Sequence, residues 1–153
     1  MRSLAATRRW CSLVVVAALG ACGGNNPFRP TVATVAGLYR AEYVLEFTSS
    51  DPNPVNLIEN GASLILLLNG DGTTGGRLVI PAEFADGAPV DAELTGAWTL
   101  DGDTVRFEFP GVDVFLEDLA FDAGAAASGQ LYSEGPSGGI IVRILLQNGI
   151  SPE

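Results

Sequence analysis

The chain has 153 residues, and its 18 acidic side chains outnumber its eight basic ones, which gives a formal charge of −10. A surface of this charge repels the phosphate backbone of nucleic acid, so we expect no nucleic-acid partner. The sequence contains no histidine and only two cysteines, Cys11 and Cys22. These absences exclude Ser-His and Cys-His nucleophiles, and they exclude a zinc site of the usual ligands.

The first residues have the pattern of a secretory signal. The chain starts with three arginines, Arg2, Arg8 and Arg9, and no acidic residue, and an apolar run follows at residues 13–19. A membrane-spanning helix needs about 20 apolar residues, so this run is too short to span a bilayer. We therefore predict a signal peptide at residues 1–21 that is removed by cleavage.

The predicted signal peptide leads into the segment Leu19-Gly20-Ala21-Cys22. An aliphatic residue, two small residues and a cysteine resemble the lipobox of bacterial lipoproteins, in which the cysteine thiolate takes up the lipid. The resemblance implies that Cys22 is lipidated and that it anchors the protein to a membrane of the cell envelope. Because Gly23 rather than aspartate follows, the sorting rule of proteobacterial lipoproteins implies the periplasmic face of the outer membrane.

The mature chain that this cleavage would leave has 132 residues, enough for one domain with a hydrophobic core. It keeps five arginines and all 18 acidic residues, a formal charge of −13, and it has no lysine. Cys22 would be its only cysteine, so the domain depends on its core rather than on a disulfide. We predict a flexible lipidated tether at residues 22–34, a β-domain at 35–148 and a tail at 149–153.

Eight short runs in this domain have the alternation of β-strands and are joined by turns rich in Gly, Asp, Asn and Pro. In the first run the alternation places Tyr39, Tyr43, Leu45 and Phe47 on one face and Glu46 on the opposite face. Alanines cluster at the end of residues 114–127, which leaves a helix there as an alternative. The eight runs are 38–47, 62–69, 74–80, 93–100, 104–109, 114–121, 129–134 and 139–147.

The strongest local pattern is a hairpin centred on Asp101-Gly102, a dipeptide that suits the positive φ angles of a tight turn. The alternation on both sides of this turn predicts one apolar and one polar face. We therefore expect burial of these side chains: Trp98, Val105, Phe107 and Phe109.

Eight sequential strands with short connections predict an all-β domain, an antiparallel up-and-down meander that closes into a barrel and so removes its exposed edges. Here the chain resembles the small lipocalin-like domains of bacterial lipoproteins whose role is uncharacterised. The resemblance rests on Gly-Leu-Tyr at residues 37–39 and on Gly-Ala-Trp-Thr-Leu-Asp-Gly-Asp-Thr at residues 96–104. A two-sheet β-sandwich is the alternative fold.

Aromatic side chains on the predicted inner faces are candidates for lining a ligand cavity, with packing in the core as the alternative. The segment at residues 69–73, Asn-Gly-Asp-Gly-Thr, is similar to the start of a calcium loop. Ile80 occupies the position of the closing glutamate, which favours an ordinary turn. We expect no metal ion and no cofactor. The candidate ligand-binding residues are Trp98, Tyr39, Tyr43 and Phe107.

Two function hypotheses remain. The first is a non-enzymatic envelope lipoprotein that binds a small apolar ligand in its barrel. The second is a structural lipoprotein that docks to an envelope protein, because residues 64–68 and 140–146 are apolar on both faces. We expect no enzyme, since no pair of carboxyl groups is placed to converge as a glycosidase requires.

Overall fold

The computed structural model describes residues 29–47, 53–85 and 87–149. The predicted signal peptide, Cys22 and residues 150–153 of the predicted tail lie outside the described residues. One α-helix, α1 (Val32–Val35), precedes the sheet, and short 3₁₀ helices lie at Ala82–Phe84, Phe115–Glu117 and Ala126–Ser128. The strands are β1 (Gly37–Phe47), β2 (Val55–Asn56), β3 (Ser63–Leu68), β4 (Thr73–Ile80), β5 (Val90–Glu93), β6 (Gly96–Asp101), β7 (Thr104–Glu108), β8 (Phe121–Asp122), β9 (Gln130–Ser137) and β10 (Ile140–Asn148).

Eight of these strands form a closed antiparallel barrel, in the order β1, β3, β4, β6, β7, β8, β9 and β10. β10 pairs with β1 from Tyr39 to Phe47, and this ladder closes the ring. β2 extends the pairing along β1, and β5 pairs beside β4. The predicted all-β up-and-down barrel is thus confirmed, and the closed sheet excludes the two-sheet sandwich.

The predicted hairpin is the β6–β7 pair. Asp101 pairs with Thr104, and Gly102 between them has a φ of 63°, a value that favours glycine. The predicted burial is also confirmed, because these four side chains expose 4% of their surface or less: Trp98, Val105, Phe107 and Phe109.

A β-bulge in β1 overturns the predicted alternation of that strand. The register with β10 shifts at Glu42, so that this one residue has no counterpart on the neighbouring strand. An extra residue moves all later side chains to the opposite face. Tyr39 faces inward before the bulge, whereas Val44 and Glu46 face inward after it. The prediction that the following side chains share the face of Tyr39 is therefore wrong: Tyr43, Leu45 and Phe47.

Residues 114–121 do not form the predicted strand, and residues 114–127 do not form the alternative α-helix. They contain the 3₁₀ helix Phe115–Glu117, and only the two residues of β8 pair in the sheet. The segment is apolar because Leu116 and Leu119 are completely buried, with exposures of 0% and 1%. Apolar residues that enter the core from a loop need no strand periodicity, which explains the wrong prediction.

α1 starts at a residue that the sequence analysis places in the flexible tether. Thr31 caps the helix, with its side chain accepting from the backbone N–H of Thr34 while the Thr34 hydroxyl accepts from that of Thr31. Val35, the last residue of α1, is fully buried. A capping box and a buried side chain thus hold this helical turn, within the predicted tether, against the barrel.

Side chains fill the middle of the barrel. The ring of Phe107 packs against Phe109 and Phe121, with centroids 5.9 Å and 5.1 Å apart. Such contacts make a packed core rather than a ligand chamber. Among the described residues, no helix has the length and apolar composition that a bilayer crossing requires. The largest fully buried side chains are Tyr39, Phe109, Phe121, Leu57, Leu66, Leu68, Leu78, Leu94, Leu116, Leu119, Leu131 and Ile144.

Candidate ligand site at the open end of the barrel

One end of the barrel, which we call the closed end, carries the turns of the β3–β4 and β6–β7 hairpins, and α1 contacts the 3₁₀ helix Ala126–Ser128 there. Tyr39 is fully buried there, and its hydroxyl donates a hydrogen bond of 2.7 Å to the carbonyl oxygen of Val35. Burial raises the pKa of the Tyr39 hydroxyl above its usual value, so it remains a donor at neutral pH. This bond fastens the helix to the first strand.

At the closed end, Trp98 is hydrogen-bonded to the turn between β3 and β4. Its indole N–H donates a hydrogen bond of 2.9 Å to the carbonyl oxygen of Asn69. In the same turn the carboxylate of Asp71 accepts hydrogen bonds from the backbone and the hydroxyl of Thr73, which lower the pKa of that carboxyl. Asp71, which lies in the segment that is similar to the start of a calcium loop, thus stabilises a turn.

The four predicted ligand residues occupy three different places. Tyr39 and Trp98 pack at the closed end, and Phe107 packs in the middle of the barrel. Tyr43 lies on the outer wall, opposite Leu145 of β10. The structure therefore does not bring all four together, and their ligand role stays a prediction.

The opposite end of the barrel, the open end, contains a pocket of about 360 Å³. It is bordered by the ends of β1, β4 and β5, by the turn between β9 and β10 and by two of the 3₁₀ helices. None of the four predicted ligand residues lines it. The apolar side chains around it include Ile80, Phe84, Val90, Phe115 and Ile140, and the polar ones are Glu46 and Ser137.

Glu46 is the ionisable residue among those that line this open-end pocket. It lies on the inner face of β1 because of the bulge, and its strand neighbours are Val55 on β2 and Val142 on β10. Burial raises the pKa of the Glu46 carboxyl above its usual value, since apolar surroundings disfavour the charged form. The hydroxyl of Ser137 donates a bond of 2.7 Å to Asp118.

Sequence reasoning missed Glu46 because strict alternation placed it on the outer face. A signal for the bulge does exist in the sequence, where Tyr43, Val44 and Leu45 are apolar at three consecutive positions. In a strand that alternates between a buried face and a solvent-exposed face, three consecutive apolar residues are not expected. A bulge accommodates such a run, because it reverses which side chains face inward.

A second depression, of about 440 Å³, lies beside the loop after β7 and is wide open to solvent. It is lined by Phe109, Val112, Asp113 and Glu117 together with Pro110 and Gly111. The carboxylate of Glu117 accepts a hydrogen bond from the backbone N–H of Phe109, so it already holds the loop in position. The open-end pocket is the better candidate because it is more enclosed and its carboxyl has no such structural task.

The outer wall of β1 and β10 carries apolar side chains, which we call the wall patch: Tyr43, Leu45, Phe47, Ile141 and Leu145. Ile141 exposes 49% of its surface. The guanidinium of Arg143 lies 5.3 Å from the centre of the Phe47 ring, and its Nε donates a bond of 2.9 Å to Glu134. This bond and one from Tyr132 lower the pKa of the Glu134 carboxyl.

Comparisons of the chain with protein-family models, with curated proteins and with solved structures gave no significant match. Within residues 29–47, 53–85 and 87–149, no three or more Asp, Glu, Cys or His residues are grouped so that they could hold a metal ion. The function therefore has to be argued from the geometry of the pocket and the wall patch.

Proposed function

We propose that the protein is a non-enzymatic lipoprotein of the bacterial cell envelope that binds a small, mainly apolar molecule in the open-end pocket. The observation that carries this proposal is a pocket of about 360 Å³ with an apolar rim and one carboxyl group. Ligand sites are typically concave and apolar, with a few polar groups and volumes of about 300–1,000 Å³. Because side chains fill the middle of the barrel, the ligand would lie at its end.

The position of the N-terminus supports a membrane-anchored binding protein. The described chain starts at the closed end, and residues 23–28 separate Cys22 from Arg29. A segment of this length reaches at most on the order of 25 Å. Lipid on Cys22 would thus hold the closed end near the membrane and leave the open-end pocket facing the periplasm.

Mass spectrometry of the purified protein tests the anchor. We expect an N-terminal Cys22 that carries a diacylglyceryl group, and we expect the Cys22→Ser variant to lack it. A different first residue, or an unmodified Cys22, would contradict this part of the proposal. The outer-membrane assignment is tested by membrane fractionation of the host.

Native mass spectrometry of the protein purified from its host tests the ligand site. We expect a retained small molecule in the wild type and its loss in the Ala85→Trp variant, because Ala85 lines the pocket and a tryptophan there would fill it. The matched control is Ala88→Trp, since Ala88 is exposed in the same loop and outside the pocket. A wild type without a bound molecule, or equal retention in the Ala85→Trp variant, speaks against the site.

The wall patch favours a second candidate function, docking to an envelope protein without a ligand. Its tyrosine, its phenylalanine and the adjacent Arg143 are residue types enriched at protein interfaces. Cross-linking in the host from a photoreactive residue at position 141 tests it, with position 32 as control, because Val32 is an exposed apolar residue of α1 outside the patch. Docking predicts a partner cross-linked from position 141 only.

The pocket supports binding rather than catalysis. Glycoside hydrolysis by carboxylates needs two of them across a cleft, at about 5–10 Å. Among the described residues that line the pocket, Glu46 is the single carboxyl. The nearby Asp118 accepts the hydrogen bond from Ser137, which gives it a structural role in the wall.

A further inference from the structure

We infer that the molecule bound in the open-end pocket has a positively charged ammonium head on a short apolar body, and that the carboxylate of Glu46 is its counter-ion. This inference rests on the proposed binding function and names the chemical class of the ligand.

The apolar body of such a ligand is matched by the rim of the pocket. Phe84 and Phe115 contribute aromatic rings from two different 3₁₀ helices, and Ile80 and Ile140 contribute aliphatic side chains from β4 and β10. Covering these side chains would remove apolar surface from water, which favours binding. The rings are also able to attract a cation through their negative faces.

The ammonium head is matched by Glu46. Its carboxyl lies among apolar side chains, and no arginine or lysine belongs to the residues that line the pocket. A carboxylate without a partner in apolar surroundings is costly, and this cost is the cause of the raised pKa of Glu46. A cationic ligand would supply the missing partner, whereas a neutral ligand would leave the charge uncompensated.

The described residues of the neighbouring elements provide no alternative counter-ion. Arg143 follows Val142 on β10, but it faces the outer wall, where it binds Glu134 and covers Phe47. Arg77 on β4 is likewise paired with an exposed carboxylate on β5. The formal charge of −10 disfavours an anionic ligand.

Three probes of equal length separate the contribution of charge from that of apolar contact: hexylamine, 1-hexanol and hexanoate. Their binding to the purified protein is measured by calorimetry near pH 7, where the amine is protonated and hexanoate is ionised. We expect the wild type to bind hexylamine about tenfold more tightly than 1-hexanol, and hexanoate most weakly. The Glu46→Gln variant should bind hexylamine no more tightly than 1-hexanol, because an unpaired ammonium group in apolar surroundings is costly.

The Glu83→Gln variant is the matched control, because it removes the same charge at the same end outside the pocket. It should keep the wild-type preference for hexylamine. Lowering the pH through the raised pKa of Glu46 should remove the preference in the wild type, since the carboxyl becomes neutral while the amine stays charged. Partition of each probe into detergent is measured without protein and subtracted, because it differs between the charged and the neutral probes.

The outcomes distinguish this inference from the proposed function. If the wild type binds hexylamine and 1-hexanol equally, the pocket binds apolar molecules and the inference about charge is wrong. If the Glu46→Gln variant keeps the preference, another acidic group attracts the amine and the inference is also wrong. If the wild type binds none of the three probes, both the inference and the proposed function are contradicted.

Discussion

The two ends of the barrel are built from the same strands but are closed in different ways. At the closed end the polar atoms of Tyr39 and Trp98 are hydrogen-bonded to backbone carbonyl oxygens, and α1 inserts the buried Val35. At the open end two 3₁₀ helices and a turn surround a pocket, and Glu46 lines it with a raised pKa. The hydrogen bonds of Tyr39 and Trp98 stabilise the first end, although the buried hydroxyl of Thr74 there has no partner among the described residues. The second end retains a carboxyl group that suits a ligand.

The bulge at Glu42 separates these two ends within one strand. Before it, β1 contributes Tyr39 to the core of the closed end, and after it the inner face carries Val44 and Glu46. Because one extra residue reverses the faces, a carboxyl enters the pocket and Tyr43 and Phe47 move to the wall patch. A single backbone irregularity thus creates both candidate sites.

The largest expected effect on stability is at the closed end. Trp98→Ala should lower the free energy of unfolding by about 3–5 kcal/mol, because it leaves a cavity and removes the hydrogen bond to Asn69. Urea denaturation measures this change. Thr99→Ala, at the exposed neighbouring position, is the control and should change stability by less than about 1 kcal/mol. A loss below that size for Trp98→Ala would mean that the closed end is not tightly packed.

A smaller loss is expected when one closed-end hydrogen bond is removed. Tyr39→Phe deletes the hydroxyl that binds the carbonyl oxygen of Val35, which should cost about 1–2 kcal/mol. Tyr43→Phe makes the same chemical change on the wall patch, where the side chain is half-buried. It should lower the free energy of unfolding by less than Tyr39→Phe does. Urea denaturation of both variants compares the positions, and equal losses would show that the bond to α1 contributes little.

The smallest effect is expected at the open end, and it has the opposite sign. At acidic pH Glu46 is protonated in both the folded and the unfolded chain, so Glu46→Gln should leave stability unchanged. As the pH rises above 4.5, the unfolded chain ionises first, because the folded pKa is raised. Ionisation of Glu46 therefore lowers the stability of the wild type relative to the Glu46→Gln variant, and this difference grows up to the raised pKa.

Near neutral pH the Glu46→Gln variant should be more stable than the wild type, by less than about 1 kcal/mol because the carboxyl is partly solvated. Urea denaturation at acidic and at neutral pH measures the difference, with Glu83→Gln as the control for the loss of a surface charge. A difference that does not grow with pH, or a destabilised variant, would show that the Glu46 carboxylate has a partner.

Much of the barrel could be predicted from the sequence because its strands obey a simple period. Alternation around Asp101-Gly102 predicts both the β6–β7 hairpin and the burial of Trp98 and Phe107. The same rule fails in β1, where the bulge breaks the period after Ala41. It also fails for residues 114–121, whose apolar side chains enter the core mainly from a loop.

The candidate pocket could not be predicted in the same way. Phe84 and Phe115 lie on 3₁₀ helices without a strand period, and Ile140 starts the last strand. Only the closure of the barrel brings these distant segments to one end. The aromatic residues that do follow the strand period, such as Phe107, pack in the core and do not line the pocket.

Ligand binding at the open end is tested by NMR of the ¹⁵N-labelled protein during titration with hexylamine. We expect the backbone amide signals of Glu46, Val90 and Gly138 to shift, because these residues line the pocket. The indole N–H signal of Trp98, which is bonded to Asn69 at the closed end, should stay in place. A shift of the Trp98 signal, or of amides on the wall patch without those of the pocket, would show that hexylamine binds elsewhere.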